Sequence, residues 1–268
     1  MKVGILGGGQ LARMLALAGH PLGLKFAVID PAPDACAFSV AEPMCGAWED
    51  RELLNRMAAC ADVVTCEFEN VPAESLWYLA ERVPTYPPPE AQAAKRDRLK
   101  EKQLFGELEV PAPAHQAVSS PAELHEAVER LGLPLVLKTR SYGYDGKGQR
   151  VLTGREDIEA AAQTLRAPMI AEQFVRFSRE VSIVAVRGRN GQTAYYPIAE
   201  NVHSQGILFT SRCRPSDPVE HLARGYAARL LDRLGYVGVL AIEFFEADGR
   251  LLANEFAPRV HNTGHWTI

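Results

Sequence analysis

Two acids and an amide near the end of the sequence have the spacing of a metal site. Glu243 lies in "AIEFFEADGR" and Asn254-Glu255 in "LLANEFAPRV", two apolar runs that turn back on each other at Asp248-Gly249. Carboxylates and an amide oxygen brought together by a hairpin are hard donors, suited to Mg²⁺ that shares its coordination with nucleotide phosphates. Strand parity restricts the pairing. A two-residue turn alone sets Glu243 opposite Asn254, so facing Glu243 to Glu255 requires a three-residue loop or a bulge. The competing reading is a hairpin with two solvent-facing acids; Ile242 and Phe244, flanking Glu243 in a buried-looking run, argue against it.

Three further stretches carry candidate chemistry. In "RSYGYDGKGQ", residues 140–149, Gly143, Gly146 and Gly148 free the backbone to close over a ligand, and Lys147 adds charge. The stretch is expected to be a lid ordered by nucleotide, against the alternative of a solvated hairpin at Asp145-Gly146. Lys138 ends the apolar run before it, where an uncompensated ammonium is expensive, so it wants an anion. In "MIAEQFV", Glu172, Gln173, Phe174 and Val175 have the pattern of a hinge whose backbone groups read an adenine edge, with Glu180 accepting from ribose hydroxyls. Taken singly, each of these is ordinary strand or turn. In "GILGGGQLARM", Gly7, Gly9 and Ala12 follow a strand and Asp30 ends the next one, which satisfies a dinucleotide fingerprint. Any phosphate suits glycines that open a helix, so the turn does not name its ligand, and it also reads as a plain strand-to-helix connection.

The elements that hold these residues alternate. "KVGIL", the glycine turn, "QLARMLALAG" and "KFAVID" form a βαβ unit, and "ADVVTCEFENVP" adds another strand that ends in acids. The proline-rich "PTYPPPE" marks a boundary. One charged helix is expected over "AQAAKRDRLKEKQLFGEL". Residues 117–188 then read as a compact α/β module, and the last third as extended runs with one helix. At 268 residues, two or three subdomains are the natural expectation. A net charge of −4 offers no basic footprint for nucleic acid, and no apolar run reaches the length of a membrane span. The opening "MKVGILGGG" is too short an apolar stretch for a secretory leader. Cys36, Cys45, Cys60, Cys66 and Cys213 contain no C-x-x-C pair, which fits a reduced, cytoplasmic setting.

Taken in order, Lys138, the glycine loop, "EQFV", Glu180 and Glu243 with Asn254-Glu255 resemble the ATP-grasp superfamily. Within it, "GGGQLARML", "EFENVP", "KTRSYGYDGKGQ" and "NEFAPRVHNTGHWT" resemble the N5-carboxyaminoimidazole ribonucleotide synthetase family across essentially the whole chain. The resemblance implies an α/β ATP-grasp fold with an N-terminal Rossmann-like domain. Its substrate-binding domain would cover residues 1–88, a helical linker and lid subdomain 89–188, and a metal-binding subdomain 189–268. Because the sequence stops at Ile268 just after "GHWT", the family's C-terminal subdomain is expected to be absent.

The same resemblance implies ATP-dependent joining of bicarbonate to the amine of 5-aminoimidazole ribonucleotide, through carboxyphosphate, in purine synthesis. ATP and Mg²⁺ would be held by Arg98, Lys138, Tyr144, Gly146, Glu172, Gln173, Phe174, Val175, Glu180, His203, Glu243, Asn254 and Glu255, the metal itself by Glu243 and Glu255. Arg259, His261 and Asn262 would stand near bicarbonate, and Tyr144, Asp145 and Lys147 would face the aminoimidazole nucleotide. Its phosphate would meet Gly8, Gly9, Gln10 and Leu11, and its ribose Glu67 and Glu69. A cytoplasmic homodimer without nucleic-acid or membrane partners is implied. Another ATP-grasp carboxylate-amine ligase, an NAD-dependent oxidoreductase and a non-catalytic nucleotide-binding module remain as alternatives.

Overall fold

The computed structural model describes residues 1–141, 143, 148–204 and 206–267. Four short parallel strands, β1 (Lys2–Leu6), β2 (Lys25–Asp30), β3 (Glu42–Cys45) and β4 (Val63–Cys66), form a sheet in the order β3-β2-β1-β4. Helices α1 (Gln10–Gly19) and α2 (Arg51–Cys60) supply crossovers between them, and α3 (Ala73–Ala80) follows β4. Strand periodicity splits the apolar residues between the two faces. Ile5 and Val28 pack with Ala12 and Ala16 of α1, whereas Leu6 and Ile29 pack with Leu53, Met57 and Leu76. Parallel strands covered on both sides read as continuous apolar runs, as "KVGIL" and "FAVI" do.

The linker differs from the single charged helix expected. It is two helices, α4 (Pro89–Lys95) and α5 (Arg98–Glu107). Asp97 leaves helical geometry at φ −127° and ψ 109°, accepts from the Leu99 amide, and pairs with Arg140. Aspartate as an N-cap outcompetes continuation of the helix. Pro89 opens α4, where a missing N–H costs nothing.

A second sheet comprises β5 (His115–Val118), β6 (Leu135–Thr139), β7 (Gln149–Leu152) and β8 (Met169–Gln173), antiparallel in the order β5-β8-β6-β7, with α6 (Pro121–Leu131) and α7 (Arg155–Thr164) on it. The largest sheet comprises β9 (Arg179–Arg187), β10 (Thr193–Tyr195), β11 (Ile198–Ser204), β12 (Ile207–Arg214), β13 (Gly238–Ala247) and β14 (Arg250–Ala257), backed by α8 (Glu220–Arg233). Its main path runs β12-β11-β9-β13-β14, with β10 paired to β9. Leu240, Ile242 and Phe244 point into the core with Ala227, Leu230 and Leu231 of α8 and with Leu104 and Phe105 of α5. By alternation, Glu243 must stand on the opposite face.

That face is where parity matters. β13 and β14 join through Asp248 and Gly249, with φ 50° and 71°, a two-residue turn. The pairing nevertheless shifts between Glu243 and Phe244, so Glu243 faces Glu255 while Phe244 faces Ala253. Asn254 is the extra residue. Of the two devices expected, a three-residue loop or a bulge, the bulge is present, and it puts both carboxylates on one side of the sheet.

Candidate functional site

A cavity of about 340 Å³ opens where the second sheet, the large sheet and the end of the first domain meet. It brings together Arg98, Lys138, Glu172, Gln173, Phe174, Val175, Glu180, His203, Glu243, Asn254, Glu255, Arg259, His261, Asn262 and Glu69. Gly8, Gly9, Gln10, Leu11 and Glu67 are not in its wall. Leu11 instead lines a smaller apolar cavity against His261 and Val260. Tyr144, Asp145, Gly146 and Lys147, and the expected lid action that depends on them, lie outside the described residues. At the foot of that stretch, Arg98 donates to the carbonyls of Thr139, at 2.9 Å, and Gly143, at 3.2 Å.

Lys138 does have its anion, and the partner is internal. Its ammonium lies 2.9 Å from Glu172 Oε2 and 3.5 Å from Asn254 Oδ1. The same carboxylate faces the buried ammonium of Lys102 at 3.7 Å, and Lys102 donates to the carbonyls of Asn254, at 2.6 Å, and Ala253, at 3.1 Å. Burial opposes ionisation of Glu172, but the two ammoniums hold its carboxyl below the ordinary range. The amides of Gln173 and Phe174 are already engaged, donating to Ala114 O at 2.8 Å and Pro134 O at 3.3 Å. The simple picture of all these backbone groups waiting for an adenine is therefore narrowed. Glu180 Oε2 lies 2.9 Å from His203 Nδ1, and that carboxylate, set against burial, raises the His203 pKa.

Between Glu243 and Glu255 the charge is unevenly divided. Burial and the facing Glu255 push the Glu243 carboxyl up to about 8. Burial opposes ionisation of Glu255 as well, but the Lys95 ammonium, 2.6 Å from Oε2, holds that carboxyl well below the ordinary range. Among the described residues no group of three or more His, Cys, Asp or Glu could enclose a metal. An open pair of carboxylates, one reluctant to ionise without a cation, fits Mg²⁺ that arrives with phosphates and keeps its waters.

Beyond the metal strand, Arg259 donates through Nη2 to Glu69 and through Nη1 to Val260 O at 2.9 Å, and its buried Nε has no partner among the described residues. Burial first, and then Arg259, lower the His261 pKa to about 3, so its ring is neutral. The Thr263 amide donates to His261 Nδ1 at 3.4 Å. That contact puts the ring proton on Nε2, which faces Glu243 Oε1 at 3.5 Å.

The glycine turn is occupied by the protein itself. Gly8 N donates to Asp30 Oδ2 at 2.7 Å, and Gly9 N donates to Glu67 Oε1 at 2.9 Å. With Gly9 as N-cap and no side-chain cap of its own, α1 takes the Glu67 carboxylate as its anion. A Cβ at Gly9 would stand 2.8 Å from that oxygen, so any larger residue there would push the Glu67 carboxylate aside. A substrate phosphate bound there must displace Glu67. Asp30, which a dinucleotide fold would aim at a ribose, is turned back on Gly8 and on Ala32 N, and nothing at this turn favours the NAD reading.

Residues that belong to none of the sequence motifs build the site from behind. Lys95, Glu101, Lys102 and Gln92 are all buried. In α5, buried Glu101, Lys102, Leu104 and Phe105 share one helical stripe, and two charges at core-facing positions were the available signal. Gln92 donates to the carbonyls of Phe68, Glu69 and Val71 at 2.9–3.2 Å, pinning the loop that carries Glu69. Gln92→Leu is expected to leave these acceptors unpaired and to cost about 2 kcal/mol, or about 4–8 °C in melting midpoint. Calorimetry checks this, and an unchanged midpoint refutes it.

Residues 103–268 match the ATP-grasp domain, and residues 1–95 the ribonucleotide synthetase preATP-grasp domain. The chain is 53% identical over 269 residues to N5-carboxyaminoimidazole ribonucleotide synthase of Pseudomonas aeruginosa, covering 100% of this chain and 75% of that protein. The Brucella melitensis protein of the same name is 44% identical, over 99% of this chain and 75% of its own length. Among solved structures, the Thermus thermophilus N5-carboxyaminoimidazole ribonucleotide synthetase superposes with a TM-score of 0.92 at 48% identity, covering 99% of this chain and 73% of that one. An Aspergillus clavatus synthase solved with ADP and 5-aminoimidazole ribonucleotide gives a TM-score of 0.89 at 29% identity, over 100% of this chain and 72% of that one. Among the described residues no helix is long and apolar enough to cross a membrane.

Proposed function

This chain belongs to the N5-carboxyaminoimidazole ribonucleotide synthase family of ATP-grasp ligases, and from that premise we propose that it carboxylates 5-aminoimidazole ribonucleotide with bicarbonate at the expense of ATP. The observation that carries the assignment of roles is the convergence of Lys138, the Glu243 and Glu255 pair, and the Arg259–Glu69 contact on one cavity. Nucleotide and metal groups thereby stand next to a residue of the first domain.

ATP lies along the second sheet, with adenine against the run Glu172 to Val175 and ribose at Glu180. Lys138 and Arg98 balance the phosphates. Glu243 and Glu255 would hold Mg²⁺, which would neutralise negative charge on the nucleotide phosphates. A bicarbonate oxygen attacks the γ-phosphorus and ADP leaves, giving carboxyphosphate. The exocyclic nitrogen of the aminoimidazole then attacks the carboxyl carbon, phosphate departs, and the nitrogen loses a proton. Bicarbonate is a weak electrophile and a weak nucleophile, so placement and charge do most of the work. Arg259 supplies a planar donor pair for bicarbonate oxygens, and neutral His261 donates from Nε2. Glu67 and Glu69 serve the second substrate, whose phosphate takes the α1 N-terminus from Glu67.

Residues 1–88, 89–188 and 189–268 are our division into substrate, lid and metal subdomains, although β9 (Arg179–Arg187), inside the second, is paired into the sheet of the third. Five free thiols support a reduced, cytoplasmic setting, and we read the assembly as a homodimer. The test is ADP release with each substrate omitted in turn. Full ADP formation and a carboxylated product are expected only with bicarbonate and 5-aminoimidazole ribonucleotide together. ADP release that ignores both would overturn the reading.

A further inference from the structure

Lys95 has no role in the reaction as derived so far, yet it makes the shortest contact to the metal pair. Its ammonium lies 2.6 Å from Glu255 Oε2 and 3.3 Å from Glu101 Oε1, and its side chain is 5% exposed. We propose that Lys95 is a positioning residue that occupies Glu255 Oε2, leaves the other oxygen for the cation, and keeps the site from taking a divalent cation unless nucleotide phosphates come with it. This rests on the reading of Glu243 and Glu255 as the metal pair.

The placement leaves Lys95 little freedom. It is the last residue of α4, one turn beyond Gln92, whose amide is fixed on three carbonyls of the first domain. Glu101, its other partner, is fixed in turn by accepting from Phe256 N at 2.8 Å, the residue next to Glu255. The ammonium is therefore clamped between two helices and β14 and cannot swing away as a surface lysine would. Charge supplies the second half of the argument. Glu243 and Glu255 face each other across the bulge, and two adjacent carboxylates attract any divalent cation. One fixed positive charge against Glu255 cancels much of that attraction while the nucleotide is absent. It also prevents Glu255 from turning both oxygens on the metal. The triphosphate's own negative charge then restores affinity, so the cation enters as a complex with nucleotide, the form in which Mg²⁺ usually joins such sites.

The double variant Lys95→Met with Glu101→Gln removes one charge of each sign, and glutamine Oε1 can still accept from Phe256 N. The fold is therefore retained, while Glu255 loses its clamp. Titration with Mn²⁺ alone, followed by electron paramagnetic resonance, reads the site without nucleotide. The double variant is expected to bind Mn²⁺ about tenfold tighter than wild type, in line with loss of a neighbouring positive charge. Its kcat is expected to fall with saturating Mg-ATP. Lys95→Arg, which keeps the charge, should return Mn²⁺ affinity toward wild type. Unchanged Mn²⁺ affinity in the double variant, with a lowered melting midpoint, would make Lys95 a structural tie only and overturn the proposal. Glu255→Gln added to the double variant separates the two levels of inference: it should abolish the Mn²⁺ signal that the double variant gains, and an unaltered signal would remove the metal-pair reading itself.

Discussion

Glu243→Gln melts higher than the wild type at pH 8 in the absence of divalent cation, and turns over ATP about a hundredfold more slowly: that is the expected result of relieving a carboxylate the fold holds in reserve for a metal. Burial, then Glu255, push the Glu243 carboxyl from its ordinary 4.5 up to about 8. A carboxyl whose pKa is raised on folding costs nothing below about pH 4.5, where it is protonated in both states. The cost grows as pH climbs toward 8, because the unfolded chain ionises freely and the folded one resists. The penalty at pH 7 is on the order of 3 kcal/mol. Glutamine keeps the size and carries no charge, so the variant gains what the wild type forgoes. Midpoints compared at pH 4.5 and pH 8 check the sign: the two proteins should coincide at the lower pH and separate by several degrees at the higher. An equal gap at both values would mean packing, not charge, is the cause. Full activity would mean Glu243 holds no cation.

The facing of Glu243 and Glu255 was legible in the sequence because strand parity is a local rule. A short turn and an apolar run together demand a bulge, and Asn254 provides it. The boundaries of α1 were legible for the same reason, since periodicity and flanking glycines act within a few residues. What hid was long-range. The charge-rich stretch after residue 89 reads as a solvated helix, because charges normally face water. Lys95 and Lys102 are buried by partners about 150 residues away, Glu255 for one and the carbonyls of Ala253 and Asn254 for the other. No local pattern announces such a pairing. Lys138 shows the intermediate case. Its position predicted an anion, and chemistry alone could not say that Glu172, on the neighbouring strand, would be the one found beside it. At the glycine turn, the spacing of Asp30 was readable, but its side chain turns toward Gly8 N, which only the folded backbone decides.

Arg259→Lys tests the other half of the site, and its effect should separate the substrates. The guanidinium is anchored twice, by Glu69 and by the Val260 carbonyl, and keeps a buried Nε without a partner among the described residues. A planar ion with two or three oxygens, such as bicarbonate, can accept from Nε and an adjacent Nη in parallel. An ammonium cannot offer that fork. Lysine preserves the positive charge opposite Glu69, so the contact between the first domain and β14's extension survives and the protein should fold. Carboxylated product is expected to form about 10²–10³-fold more slowly, the usual loss when a donor aimed at developing charge is removed. KM for bicarbonate should rise. KM for ATP should stay within about threefold of wild type, because Lys138, Glu172 and Glu180 are untouched. Steady-state rates with each substrate varied in turn decide the matter. A parallel rise in KM for ATP and bicarbonate would place Arg259 on the nucleotide phosphates. A rate near wild type would show that its only task is to hold Glu69.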